Sequence, residues 1–294
     1  MATFAKSTFN SASYAAFRPT YPPALYNTVL NYHRGPKNLV VDLGCGHGIV
    51  PRYLSKEFKQ AIGTDPSPNM IKQSKESTSS SEYPNVEFHV ASAESLPFIK
   101  DGSVDMVVAG QAAHWFDYPR LFPELNRVLR KGGTMAFWGY KDHVYVSYPA
   151  ASKMLVEYSY GMDQEKQLGS YWSQPGRSIL QDKLRPIKPP EDIFEDITRL
   201  EYEAGTEGPN SGEGTMFVNK KMTMKQSMDY MRTWSSFHEW EKLHPNDKKR
   251  SEARSGDLID WMYDEMKKAE GWTDEDMELD IEWGSGLLMA RKRE

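Results

Sequence analysis

Cysteine is nearly absent from this chain of 294 residues: Cys45 is the only one. That excludes an internal disulfide framework and fits a reducing compartment. Long apolar runs are missing too, and none approaches the roughly 20 residues that a membrane helix requires. Residues 1–17 alternate small, polar and aromatic side chains without the apolar centre of a signal peptide. A cytoplasmic location, with no membrane partner, is therefore expected. There is no excess of positive charge: 36 Lys and Arg against 41 Asp and Glu leave a formal charge of -5. A nucleic-acid binder would show a basic surplus or stripe. The two basic clusters, Lys248-Lys249-Arg250 and Arg291-Lys292-Arg293, are short and flanked by acids. They read as a solvated face and a chain end. The seven histidines are scattered without ligand spacing, so no metal site is expected.

What is present is enough apolar material, 39% of residues, for one large domain or a domain with an insertion. Leu39-Val40-Val41-Asp42-Leu43 is continuously apolar but for one acid, as a strand buried on both faces is. A helix is expected over 49–58, a strand over 61–64, a helix from Pro68 to Glu76, and strands over 86–90 and 104–109. The segment 119–130 carries Leu121, Phe122, Leu125, Val128 and Leu129 on one helical face and ends at Gly132-Gly133. Residues 134–138 make a fifth strand. Strands alternating with helices imply a doubly wound α/β domain with a parallel sheet covered on both faces.

Beyond residue 140 the pattern changes. Helices are expected around 149–158, 223–240 and 256–268, and strands over 194–203 and 277–291, the last with a bulge near Gly284 and Gly286. This makes seven strands. The organisation expected is an N-terminal segment 1–37, a cofactor-binding core 38–140, and a segment 141–294 that covers the acceptor side and completes the same sheet. Such additions at the C-terminal edge of an α/β sheet commonly carry the substrate site.

The chemistry starts at Asp42-Leu43-Gly44-Cys45-Gly46-His47-Gly48, a strand end, a glycine-rich turn and a helix start. Glycines allow the sharp turn and the close approach of a ligand to the backbone, and a helix start offers free N–H groups. A dinucleotide site wants G-x-G-x-x-G, whereas this spacing is one residue shorter. Asp42 would repel a pyrophosphate but accept a hydrogen bond from a cofactor ammonium. Both features disfavour NAD, and with it a dehydrogenase. Asp65 ends the second strand, where an acid can hydrogen-bond both ribose hydroxyls, although a helix cap is the plainer role. Met70 can pack on an adenine. Ser92 and Ala93 can read its edge, against the plainer reading of an ordinary polar loop.

Four stretches, in order, resemble the class I S-adenosylmethionine-dependent methyltransferases, in the branch that includes ubiquinone-biosynthesis enzymes. They are Val41 to Gly48, Ile62-Gly63-Thr64-Asp65, Ala93-Glu94-Ser95-Leu96-Pro97-Phe98, and Leu125-Asn126-Arg127-Val128-Leu129-Arg130-Lys131-Gly132-Gly133. The resemblance implies a Rossmann-like sheet with inserted helical cover segments. It also implies S-adenosyl-L-methionine as cofactor, held by Asp42, Gly44, Gly46, Gly48, Asp65, Met70, Ser92, Ala93 and Glu94. Ser92 departs from the acid often found there. His47 replaces a commonly small residue, and its side chain is expected to point outward.

A closer resemblance runs along nearly the whole chain. Tyr14-x-x-x-Arg18-Pro19-x-Tyr21-Pro22, Ala113-His114-Trp115-Phe116-Asp117, Tyr171-Trp172-x-Gln174-Pro175-Gly176-Arg177 and Arg232-Thr233-Trp234-Ser235 are similar to the fungal trans-aconitate methyltransferase group. Its relatives methylate carboxylates and, in fungal secondary metabolism, the dithiols of gliotoxin-like compounds. The expected partner is thus a small-molecule methyl acceptor. The resemblance makes residues 1–37 a lid, with Tyr14 and Arg18 on the cofactor. His114 is the candidate general base for a thiol or hydroxyl, against a structural histidine. Trp115, Trp172, Arg177 and Trp234 are candidate acceptor contacts. Arg177 would hold an acid bidentately or pair within its own helix, and the tryptophans would wall a pocket or fill a core.

Overall fold

Residues 19–294 are described by the computed structural model; Tyr14 and Arg18, with residues 1–18 of the expected lid, lie outside them. The apolar run Leu39–Leu43 forms β1. It pairs in parallel on one side with β2 (Gln60–Asp65) and on the other with β4 (Val104–Gly110). Outside these lie β3 (Val86–Val90) and β5 (Leu129–Tyr145), both parallel to their neighbours. Side chains alternate between two cores. Val40, Met106, Val108, Ala136 and Trp138 pack on one face, and Val41, Leu43, Val107, Ala109, Met135 and Phe137 on the other. This is the consequence of a two-residue repeat in strands buried on both faces.

Helix α1 (Pro23–Tyr32) and the short α2 (Ile49–Leu54) cover the first face. The latter stops four residues before the expected Phe58, which still reaches the core through a turn. Helix α3 (Pro68–Glu76) has its expected bounds and is capped by the Ser67 hydroxyl, which accepts from Met70 N–H. Helix α4 (Tyr118–Val128) covers the second face and ends earlier than expected, because the chain from Leu129 already lies in β5. Arg130 is part of that strand. It pairs with buried Asp105 at 2.6 Å, and the other oxygen of that carboxylate accepts the N–H groups of Asn38 and Leu39.

After β5 the sheet turns antiparallel. β9 (Glu278–Lys292) pairs with β5, and β6 (Phe194–Glu203) with β9. The seven expected strands therefore stand in the order β3-β2-β1-β4-β5-β9-β6. Two further strands were not visible in the alternation: β7 (Glu213–Gly214) has two residues, and β8 (Asn219–Thr223) is an exposed polar edge of β9. The expected bulge falls on the partner strand, where Lys141 and Asp142, between Tyr140 and His143, stand together opposite the single residue Gly284. Gly284 and Gly286 serve close approach instead. A Cβ at the former would collide with the Lys141 side chain, and one at the latter with the Lys183 backbone.

Helices α5 (Pro149–Tyr160), α6 (Gly176–Gln181), α7 (Met224–Arg232), α8 (Ser235–Leu243) and α9 (Leu258–Glu270) form the cover. The single helix expected over 223–240 is broken. Thr233 Oγ1 donates to Tyr230 O at 2.6 Å, and Trp234 is extended. Both basic clusters are drawn into ion pairs, Arg250 with Asp264 and Arg291 with Asp196. No helix among the described residues is long and apolar enough to cross a membrane.

Gly286→Ala should destabilise the protein by about 1–3 kcal/mol, because backbone rather than a flexible side chain blocks the methyl group. A denaturant midpoint equal to that of the parent would show that β9 and the Lys183 turn are not packed this closely.

Candidate active site

The order of the sheet reverses at β1, whose neighbours are β2 and β4. Crevices at such reversals, outside the C-terminal strand ends, are where α/β sheets bind ligands. A cavity of about 230 Å³ lies there, and Asp42, Gly44, Cys45, Gly46, His47, Asp65, Met70, Ser92, Ala93 and Glu94 are all in its lining. Gly44 and Gly46 have positive φ, and a Cβ at Gly46 would meet nothing, so the turn leaves open space above it. Gly48 does not line the cavity. It has φ 84 and lies against Phe88, whose ring a Cβ would approach to 2.7 Å. It shapes the turn from below. His47 is also in the lining, and its carbonyl accepts from Arg52 Nη1 at 2.9 Å. The helix that follows, α2, has only six residues, too few for the dipole contribution anticipated from a longer one.

The floor of this cavity is acidic. Asp42 is 2% exposed, and neither carboxylate oxygen has a hydrogen-bond partner among the described residues. Burial, and then the charge of Asp65, hold its pKa well above the usual carboxylate range. Asp65 is also raised by burial, but it is anchored: its two oxygens accept from Gly46 N–H (3.0 Å) and Ser67 N–H (2.9 Å). Those bonds fix the glycine turn to the end of β2. Glu94 Oε1 accepts from Asp117 N–H at 2.9 Å and so ties the loop after β3 to the start of α4. A buried carboxylate with no partner fits an ammonium and rejects a phosphate.

A second, smaller chamber of about 40 Å³ adjoins the first and brings together His114, Trp115, Trp172, Arg177 and Trp234. Gln111, Trp115 and Tyr140 belong to both linings. His114 is buried, its ring packed at 4.7 Å on that of Trp115. The Arg177 guanidinium lies 3.9 Å above the Trp172 ring, which itself tilts onto Trp234 at 5.6 Å. Arg177 donates from Nη2 to Asp142 Oδ1 and from Nε to the Tyr160 hydroxyl at 2.9 Å. Burial opposes its charge most strongly, but Asp142 and Tyr160 together outweigh this and raise its pKa. The partner of Arg177 therefore comes from β5 and α5, not from its own helix α6. Behind the chamber, burial lowers the pKa of His143 to about 3, so this ring is neutral among Tyr145, Tyr230 and Trp283.

The sequence reading missed Gln111, Tyr140, Lys141, Asp142, Tyr160 and Tyr230. One signal was available: Lys141-Asp142 interrupts an otherwise apolar strand at its C-terminal end, where charge has to face a site. Tyr160 and Tyr230 carried none, since each sits in a helix whose aromatic residues read as core.

Residues 41–137 match the family described as a methyltransferase domain. The probable S-adenosylmethionine-dependent methyltransferase CRG1 of Saccharomyces cerevisiae is 30% identical over 302 residues, covering 99% of each chain. A putative methyltransferase of Dictyostelium discoideum is 27% identical and covers 96% of this chain and 93% of its own. Among solved structures, a putative type II methyltransferase from Anaeromyxobacter dehalogenans superposes with a TM-score of 0.68 at 24% identity, over 94% of this chain and 98% of that one.

The state of Asp42 has a measurable consequence. With a folded-state pKa above its ordinary value of 3.8, this carboxyl keeps its proton in the folded chain where the unfolded chain has lost it. It costs no stability below about pH 4, and destabilises the ligand-free protein increasingly as pH rises toward the folded-state pKa. Asp42→Asn should therefore raise the thermal midpoint of the ligand-free protein at pH 7 and flatten its pH dependence. The same variant should bind S-adenosylhomocysteine about tenfold more weakly or worse in calorimetry. Parental affinity in the variant would detach Asp42 from the cofactor ammonium.

Proposed function

We propose that this chain, which belongs to the class I S-adenosylmethionine-dependent methyltransferases and takes its methyl group from that cofactor, methylates a carboxylate oxygen of a small acid of the trans-aconitate kind. The observation that carries this reading is the adjoining chamber, whose lining holds the buried guanidinium of Arg177 braced on Trp172, while Lys141 of the same lining pairs with Glu203 at 2.5 Å. A compact volume also favours a small acid over a fused-ring acceptor.

When bound, S-adenosylmethionine supplies a methyl group activated on a sulfonium. The residues have to align the acceptor and exclude water, because an in-line displacement needs no further covalent help. Asp42 would hold the ammonium end of the cofactor, Asp65 the ribose hydroxyls, and Met70, Ser92, Ala93 and Glu94 the adenine side. Trp115 and Tyr140, shared by the two cavities, frame the passage where methyl and acceptor meet. Arg177, braced on Trp172 and Trp234, would orient a carboxylate that is already ionised near neutral pH and requires no base.

A second reading, S-methylation of a dithiol, has one observation in its favour. His114 is buried in the acceptor chamber, where a base would assist a thiol that is only partly ionised.

Labelled-methyl transfer into a panel of polycarboxylates and reduced dithiols separates the two. Transfer into the acids is expected, and transfer confined to dithiols would replace the first reading by the second. Tight cofactor binding with no transfer into either would point to a binding module without turnover. His114→Ala should slow a thiol acceptor about tenfold or more while leaving a carboxylate within about threefold. Equal losses on both would reduce His114 to a packing role.

A further inference from the structure

The structure assigns to Gln111 a positioning role: its side-chain amide clamps the β5 backbone at Tyr140 and so sets the shape of the acceptor chamber. This inference rests on reading that chamber as the acceptor site. The parallel pairing of β4 with β5 ends at Gly110 opposite Trp138. One residue later Gln111 adopts φ 55, a left-handed conformation that side chains other than glycine and asparagine rarely take. Its own N–H still donates to Trp138 O at 2.8 Å. Where the ladder would otherwise stop, the side chain continues it. Tyr140 N–H donates to Gln111 Oε1 at 2.7 Å, and Gln111 Nε2 donates to Tyr140 O at 2.9 Å.

This pair of bonds imitates a strand neighbour, and it requires a primary amide of this length. The intervening Gly139 is part of the arrangement, because a Cβ there would come within 3.1 Å of Gln111 Oε1. The clamp has a definite load. Immediately after Tyr140 the register shifts, with Lys141 and Asp142 together opposite the single residue Gly284, and Asp142 is the carboxylate that meets Arg177 and Tyr160. Gln111 and Tyr140 also line both cavities. Strain at Gln111 is thus held where cofactor and acceptor meet, which is where structures retain such outliers.

Two variants separate the clamp from the strain. Gln111→Asn accepts the left-handed backbone but is one methylene too short to reach both groups of Tyr140. Gln111→Glu has the reach, yet as a carboxylate it can only accept, so it confronts the Tyr140 carbonyl with a second acceptor. Both should raise amide exchange over residues 140–143 by about tenfold while leaving β1 and β2 unchanged. With the best acceptor of the panel, both should lower kcat/KM by about tenfold, mainly through KM, and keep the S-adenosylhomocysteine Kd within about threefold. Parental exchange over residues 140–143 in both variants overturns the clamp. A loss of S-adenosylhomocysteine affinity that matches the loss in kcat/KM overturns the assignment to the acceptor side. Failure of the acceptor reading shows separately, as a parent enzyme that methylates neither acids nor dithiols, and the exchange result then still decides whether Gln111 holds Tyr140.

Discussion

Asp42 and Asp65 occupy neighbouring parallel strands at the edge where the sheet reverses, close enough that the charge of Asp65 adds to burial in disfavouring ionisation of Asp42. Asp65 is compensated by two backbone N–H groups. Asp42 is not, and a buried carboxylate without a partner is among the more costly features a fold can keep. Much of the surrounding architecture follows from it. The glycine turn must leave the space above Gly46 open, the following helix is too short to be a strong anion site, and nothing basic among the described residues contacts the carboxylate. The charge that completes this floor has to come with the ligand, which is what a cofactor carrying an ammonium and no phosphate provides.

The second organising element is β5. Its first half belongs to the parallel sheet and contributes side chains to both cores. Its second half pairs only with β9 and carries the bulge that delivers Lys141 and Asp142 to the chamber. Arg177 is brought to the same place by α6, where it forms an ion pair with Asp142 and a hydrogen bond to the Tyr160 hydroxyl. The chamber around Arg177, which we read as the acceptor site, therefore pairs its buried cation with Asp142, whereas Asp42 in the larger cavity has no such partner among the described residues. An anionic acceptor would have to compete with Asp142 for Arg177, which makes this pair, more than the aromatic wall around it, the point at which acceptor chemistry is discriminated.

The cofactor side could be read from the chain because its determinants are local. Asp42, the glycine turn, Asp65 and the loop from Ser92 each lie at the end of a strand that periodicity identifies, and all reach one cavity. The exception is Gly48, whose spacing placed it on the ligand although it packs on Phe88. The acceptor side is assembled from residues 111, 142, 160, 177 and 234, which only the tertiary fold brings together. Trp172, Arg177 and Trp234 were expected through family likeness, and they line one chamber. Asp142 and Tyr160, which hold Arg177, were not expected. The helix break at Thr233-Trp234 escaped notice because a hydroxyl cap inside a Met- and Trp-rich stretch leaves the apolar repeat intact. The strands β7 and β8 escaped because an exposed edge has no apolar alternation to show.

Burial makes Asp42 resist ionisation, and a cationic, phosphate-free cofactor would relieve this by supplying the missing partner charge. Calorimetric titration with S-adenosylhomocysteine, in buffers of different ionisation enthalpy and across pH, measures that linkage directly. Binding should release a fraction of a proton that shrinks as pH rises past the pKa of Asp42 in the ligand-free protein, and NAD should give no heat of binding. Binding of NAD with comparable affinity, or S-adenosylhomocysteine binding with no proton release at any pH, would contradict it.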